Sequence, residues 1–348
     1  MRAGSGRPAG AMTPRERVRR ALTFERPDRA PRELWALPAV QMLQAEEFAA
    51  LVQRFPGDFG GAPFRYGEST RARGDPARRG TYVDEWGSTW QVAEDGVIGE
   101  VKWPALASWD RLVDYRPPFE LLDGADLSQV NEACAKSELS IRAGCCPRPF
   151  ERMQFLRGSE ALFLDLAYGV RQVQQLRDMV HDYYLRELSM WLETDVDHVH
   201  FMDDWGTQDA LLISPAMWES LFKPLYRDYC DLAHAHGKFI FFHSDGHIEA
   251  IYPDLIEVGV DAVNSQLFCM DIEGLAARHK GQITFWGEID RQYVLPFGTV
   301  DEVRQAVRRV RRALDDGTGG VIAQCEWGKN NPPENIAAVF EAWEEPLA

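Results

Sequence analysis

At 348 residues, with 45% hydrophobic and 26% charged residues, the chain has a globular composition and room for one large barrel or two ordinary domains. Its net charge of -16 and pI near 5.0 argue against nucleic acid or an anionic membrane as partner, because phosphates attract Lys and Arg. The six cysteines form no C-x-x-C pair and are too sparse for a disulfide framework, so a cytoplasmic location is expected, and no apolar run approaches the roughly 18–20 residues of a membrane span.

Residues 1–12 are basic and lack an apolar centre, and a short disordered leader is expected there. Thr13-Pro14-Arg15-Glu16 reads as a capping box that opens a helix ending before Pro27. Arg32 to Leu37 reads as the first strand, and the stretch at Asp58-Phe59 as a second. Residues 64–80 are loop-like, with Arg65, Arg71, Arg73, Arg78 and Arg79 either solvated or receiving an acidic group. TYVDEWGSTWQV and GVIGEVKW flank an Asp95-Gly96 turn signal, which predicts an inserted β-hairpin near residues 82–103. Ser140 to Gly144 is a short strand and Phe163 to Leu192 is largely helical. Ser214-Pro215 opens a helix with Met217, Leu221, Leu225 and Leu232 along one face, ended by Gly237. A helix closes at Val258 before Gly259, a second capping box at Thr299 to Glu302 opens another, and Pro332-Pro333-Glu334 starts the last.

In the second half, apolar runs end in polar clusters. HVHFM runs into Asp203-Asp204-Trp205-Gly206, KFIFF into His243-Ser244-Asp245-Gly246, and DAV into Asn264-Ser265-Gln266. ITFWG runs into Glu288-Ile289-Asp290, and VIA into Gln324-Cys325-Glu326. Helical patterns separate these runs, and repeated strand-then-helix units mean a parallel sheet. The expected fold is α/β, a single (β/α)8 TIM barrel over residues 13–348, whose active site lies at the C-terminal ends of the strands.

On that rim His243, Cys325 and Asp245 are the metal candidates, since imidazole and thiolate suit zinc and a carboxylate adds an oxygen ligand. The alternative is a hydrogen-bonded His243 and a Cys325 that packs as a small hydrophobe. Asp203, Asp204 and Glu288 are the acid/base candidates, because crowded carboxylates raise each other's pKa; capping a turn and pairing with an arginine are the alternatives. Trp205, Gln266, Asp290, Arg142, Arg152 and Trp86 are expected to line a small-molecule substrate site, with Trp86 either a lid or the packing contact of the hairpin. P-loop, Rossmann and hydrolase-elbow patterns are missing from the sequence.

The chain resembles the uroporphyrinogen decarboxylase superfamily from about Thr13 to Trp343. The resemblance is carried by Thr-Pro-Arg-Glu-Arg, by Arg26-Pro27-Asp28-Arg29-Ala30-Pro31, and by Phe242-His243-Ser244-Asp245-Gly246. Ile256 to Ala262, Leu295-Pro296-Phe297-Gly298-Thr299 and Pro333-Glu334-Asn335 add to it. It implies one (β/α)8 barrel. The true decarboxylases carry an R-Q-A-G-R-Y carboxylate clamp just after the first strand, where this chain reads Pro31-Arg32-Glu33-Leu34-Trp35-Ala36-Leu37-Pro38. A porphyrinogen with eight carboxylates needs such cations. The chain is more similar to the cobamide-dependent methyltransferase branch, whose thiol-methylating members use a zinc-binding His-x-Cys and a distant Cys. His243 and Cys325 match that set, while Asp245 replaces the first Cys. The resemblance therefore implies a zinc-assisted methyltransferase acting between a small O- or N-methyl compound and a corrinoid protein, with a homodimer as a further implication. The rival expectations are a cofactor-free decarboxylase or lyase on a smaller carboxylic acid, and a non-catalytic ligand-binding barrel.

Overall fold

The computed structural model describes residues 12–346. Arg32–Ala36 forms β1, Phe59–Gly61 β2, Gly80–Val83 β3, Thr89–Val92 β4, Glu100–Trp103 β5 and Ser140–Arg142 β6. His198–Met202 forms β7, Phe239–Ser244 β8, Ala262–Ser265 β9, Thr284–Trp286 β10 and Val321–Trp327 β11. Eight of these, in the order β1-β11-β10-β9-β8-β7-β6-β2, pair in parallel, with helices between them. This is the (β/α)8 barrel expected from the sequence. The leader expected over residues 1–12 lies, except for Met12, outside the described residues.

Strands buried on both faces alternate between barrel interior and helix layer. Phe241, Ala262, Trp286 and Ile322 fill the interior together with Val18 and Leu22 of the helix Pro14–Leu22, which plugs the N-terminal end. Thr13 Oγ1 caps that helix by accepting from Glu16 N at 3.1 Å, while the Glu16 carboxylate turns to Arg19 and Arg20. The partner positions Val199, Phe201, Phe242, Val263 and Phe285 pack outward against the helices.

The barrel closes between β1 and β2 through one carboxylate in place of a ladder. Asp58 N donates to Arg32 O at 2.9 Å, and Asp58 Oδ2 accepts from Arg32 N at 2.7 Å. Arg17 and Arg29 also donate to this carboxylate, at 2.5 and 2.7 Å.

The expected hairpin is a three-stranded antiparallel sheet, β3-β4-β5. TYVDEWGSTWQV is broken into two strands because Asp84 Oδ1 accepts from Ser88 N at 2.8 Å and turns the chain. Trp90 of this sheet packs on Phe155, with ring centroids 4.7 Å apart. The helix opened by Ser214 also breaks, at Phe222, into Pro215–Leu221 and Lys223–Ala235. The capping box at Thr299 and Glu302 forms with both of its hydrogen bonds. Among the described residues no helix is long and apolar enough to cross a membrane.

Candidate active site

Register sets the site. His243 of β8 lies opposite Met202 of β7 on one side and Asn264 of β9 on the other. His243 and Asn264 both point inward, and His243 Nδ1 meets Asn264 Oδ1 at 2.6 Å. The Asn264 amide nitrogen donates to Trp286 O and to Gln324 Oε1, so its oxygen must face the histidine. His243 Nδ1 therefore carries the proton of that bond, and Nε2 is turned towards the mouth. Trp35 of β1 packs on the imidazole at 5.2 Å between ring centroids.

Nε2 faces two carboxylates, Asp245 Oδ1 at 3.4 Å and Asp204 Oδ1 at 3.7 Å. Asp204 and Asp245 extend from the ends of adjacent strands, and Asp204 Oδ1 accepts from Asp245 N at 2.9 Å. Asp245 Oδ2 pairs with Arg291, whose guanidinium also reaches Glu326 Oε1 at 2.9 Å and Glu288 Oε1 at 3.7 Å. Asp245 Oδ1 and Glu288 Oε1 are both buried without a hydrogen-bond partner.

Burial disfavours charge throughout this cluster, and the partners decide where charge survives. Burial opposes a charge on His243, yet Asp245 and Asp204 outweigh it and hold the imidazolium up to about 9. Asp245 is also buried, but His243 and Arg291 pull it down to about 2. Burial pushes Glu288 up to about 8 despite Arg291. Burial and the neighbouring Asp245 raise Asp204. The site thus holds an anionic Asp245 between Glu288, which keeps its proton towards neutral pH, and Asp204, whose pKa is raised.

The set expected from the sequence, His243, Asp245 and Cys325, is not brought together whole. The donor atoms of Asp204, His243 and Asp245 all lie within 4.8 Å of one another, and Cys325 is outside that group. Ile322 and Gln324 point into the barrel, so strand alternation sends Cys325 to the helix layer, where it packs in the outer core. Burial there raises its thiol pKa, which opposes the thiolate a metal would need.

Asp203 is likewise not at the reacting centre. It accepts from Phe150 N at 3.0 Å, Glu151 N at 2.8 Å and the Tyr226 hydroxyl at 2.8 Å, and so anchors the start of the helix Pro149–Arg157. Trp205 is fully buried, stacked on Phe150 at 4.0 Å and donating to Tyr226 at 2.7 Å, and is core in place of substrate wall. Asp290 caps a turn by accepting from Gln292 N and Tyr293 N, and Gln266 accepts from Gly246 N at 3.0 Å. Gln266 and Asp290 do line a small cavity with Glu288 and Arg291.

The sequence profile of the uroporphyrinogen decarboxylase (URO-D) family matches residues 100–346. The chain belongs to that family. No curated protein matches it. Among solved structures, a methyltransferase from Methanosarcina mazei superposes with a TM-score of 0.71 at 15% identity, over 96% of this chain and 98% of that one. At that identity the likeness speaks to the fold. An endo-β-1,4-xylanase from Gloeophyllum trabeum follows at a TM-score of 0.38 and 12% identity, over 63% of this chain and 82% of that one.

In this URO-D family member the arginines expected to line the substrate site are already engaged. Arg142 pairs with Glu33 inside the barrel, and Trp286 Nε1 donates to the same carboxylate at 2.6 Å. Arg152 NH1 lies 3.2 Å from Asp84, and its guanidinium covers Trp86 at 4.8 Å from the ring centre. Trp86 is buried against Tyr183 and joins Arg152 in a second cavity, beyond the ends of β2 and β6. Sequence reasoning missed Arg291, Glu151, Asn264 and Glu33. Arg291 directly follows Asp290, and Glu33 shares the inward parity of Trp35, so both carried a signal. Glu151 did not: it reaches Asp204 only because Asp203 anchors its helix, and burial and Asp204 push it up to about 7.

The residues fit a divalent metal. One imidazole nitrogen and two carboxylate oxygens converge, Asp245 Oδ1 is buried without a hydrogen-bond partner and faces His243 Nε2, and Asn264 holds the far side of the imidazole as a metal-bound histidine requires. Arg291 occupies Asp245 Oδ2 and leaves Oδ1 to face His243 Nε2.

Proposed function

We propose that this chain is a metal-assisted methyltransferase, moving a methyl group between a small O- or N-methyl compound and a corrinoid carried by a separate protein. The observation that carries the reading is the convergence of Asp204, His243 and Asp245 within 4.8 Å at the barrel mouth. Its fold likeness to a methyltransferase supports it. Zinc is the metal proposed, because it accepts imidazole nitrogen and carboxylate oxygen and leaves a position open beside three protein ligands. When bound, it supplies Lewis-acid polarisation of the heteroatom that carries the methyl group.

The remaining chemistry belongs to the protein. The methyl carbon breaks its bond to oxygen or nitrogen and bonds to the reduced corrinoid. The heteroatom keeps the bonding electrons and takes a proton. Glu288 is the donor: it is buried, its Oε1 makes no hydrogen bond, and it holds its proton up to about pH 8. Arg291 fixes Asp245 and stands beside Glu288. The pairing of Arg142 with Glu33 and of Arg152 with Asp84 weighs against the decarboxylase alternative, which needs a cation to hold the substrate acid.

The test is metal content and methyl exchange on the same preparation. Wild type should bind close to one divalent ion per chain and either methylate reduced cobalamin from a panel of methoxy and methylamino compounds or demethylate methylcobalamin onto the corresponding hydroxy and amino compounds. His243→Ala should lose both. A chain that stays metal-free after reloading, with no exchange in either direction, would overturn the reading.

A further inference from the structure

The cavity beyond β2 and β6 has a volume of about 460 Å³, within the range of small-molecule sites. Tyr66, Trp86, Tyr183, Tyr184, Arg152 and Glu187 line it. Four of these six are aromatic. Two are charged, and their situations are opposite.

Arg152 is satisfied. Its NH1 lies 3.2 Å from Asp84 Oδ2, its Nε donates to the Tyr184 hydroxyl at 3.4 Å, and its plane covers Trp86 and Phe155 at 4.8 and 5.4 Å. Its charge is cancelled within the wall. Glu187 is not satisfied. It lies on the helix Arg171–Leu192 and is only 7% exposed. Its Oε1 accepts from the Tyr66 hydroxyl at 2.8 Å, and that hydroxyl in turn accepts from Trp191 Nε1 at 3.0 Å. Its Oε2 is buried with no partner at all. A buried carboxylate oxygen left without a donor costs about 1–3 kcal/mol or more, so such a group marks a place where a donor is brought from outside.

We infer that this cavity is a recognition subsite for a protonated amine, which donates an N–H to Glu187 Oε2 and lies against the Tyr183 and Tyr184 rings. A cation beside aromatic rings gains from their quadrupoles, and most when desolvated. An ammonium-to-carboxylate hydrogen bond is roughly twice as strong as a neutral one. The net charge of -16 favours the approach of cations. Burial holds Glu187 at about 7, despite Tyr66, Arg152 and Arg148, and an arriving ammonium favours its ionised form. The inference rests on the proposed reaction only in that it gives the small substrate an ammonium group remote from the reacting methyl.

Three probes of one skeleton decide it: 2-phenylethylammonium, 3-phenylpropionate and 2-phenylethanol, titrated calorimetrically into the full chain at pH 8. The ammonium should bind at least about tenfold more tightly than the other two. Glu187→Gln should remove that preference, and Asp204→Asn, at the other acidic cluster, should leave it intact. Tighter binding of the carboxylate, which would make Arg152 the receptor, overturns the inference. So does binding of none of the three, or a preference abolished by Asp204→Asn and kept by Glu187→Gln. If Glu187→Gln fails to fold, the wild-type ranking with Asp204→Asn still decides. Metal content, and methyl exchange with the methoxy members of the panel, which carry no amine, are read in separate assays, so failure here leaves the proposed function standing, and the reverse holds.

Discussion

Gln324 and Cys325 are adjacent on β11 and face opposite sides of the barrel wall. Gln324 Oε1 receives Asn264 Nδ2 at 3.1 Å inside the barrel, one step from His243, while Cys325 packs in the helix layer. A shift of one residue along a strand exchanges its two faces, and this parity keeps Cys325 out of the group that Asp204, His243 and Asp245 form at the mouth.

The first prediction follows from that geometry. Cys325→Ala should leave metal content at the wild-type level and cost roughly 1 kcal/mol of stability through lost packing. His243→Ala should remove the metal, because it contributes the nitrogen of the Asp204, His243 and Asp245 group. Metal analysis of both variants checks this. Loss of metal from Cys325→Ala, in a variant that melts like wild type, would show that the thiol reaches the mouth.

Asp203 provides a second. Its carboxylate accepts two backbone N–H groups at the start of the helix Pro149–Arg157 and the Tyr226 hydroxyl. Asp203→Ala strands three buried donors and should cost about 3 kcal/mol, read by denaturant unfolding. Asp203→Asn keeps one acceptor and should cost less. A variant that lost turnover at wild-type stability would return Asp203 to the list of reacting groups.

Strand ends were legible because each apolar run stopped at a polar cluster, and that placed His243, Asp245, Asp204 and Glu288 on one rim. Which side each strand residue faced was legible in principle from period-2 alternation, which puts Cys325 in the outer layer, whereas Trp205 lies past the end of β7 and had no such signal. Other features depend on contacts between residues far apart in the chain. Glu151 meets Asp204 because Asp203 holds the intervening helix end, and no local pattern announces that. Arg142, expected to line the substrate site, is engaged by Glu33, 109 residues away. The turn at Asp84 to Ser88 carried a local signal, Asp and Gly beside a serine, but the flanking aromatic residues read as one strand.

Closure of the barrel gives the third prediction. Asp58 stands where a ladder between β1 and β2 would run, fully buried, and receives Arg32 N, Arg17 and Arg29. Removing one member of a buried charge network leaves the others uncompensated, at a cost of about 3–5 kcal/mol. Asp58→Ala should lower the melting temperature sharply, and hydrogen exchange should rise first at Arg32, whose amide donates to the Asp58 carboxylate, and then at Ser140, whose amide donates to the backbone carbonyl of residue 58. Unchanged protection at both amides would mean that the seam is held by something else.

The last prediction concerns pH. Burial raises Glu187 to about 7, so between about pH 4 and 7 the folded chain holds a proton that the unfolded chain has released. The unfolded state binds fewer protons in that window, and stability must fall as pH rises through it. The contribution is complete below about pH 4, where both states are protonated, and has gone above about pH 7. A shift of this size corresponds to about 3 kcal/mol. Gln at position 187 keeps an acceptor for the Tyr66 hydroxyl and cannot titrate. Urea unfolding of wild type and Glu187→Gln at pH 5 and pH 8 isolates the effect: wild type should lose about 3 kcal/mol more than the variant between the two values. Parallel losses would mean that Glu187 already has a partner in solution, and with it the unfilled oxygen in the second cavity would disappear.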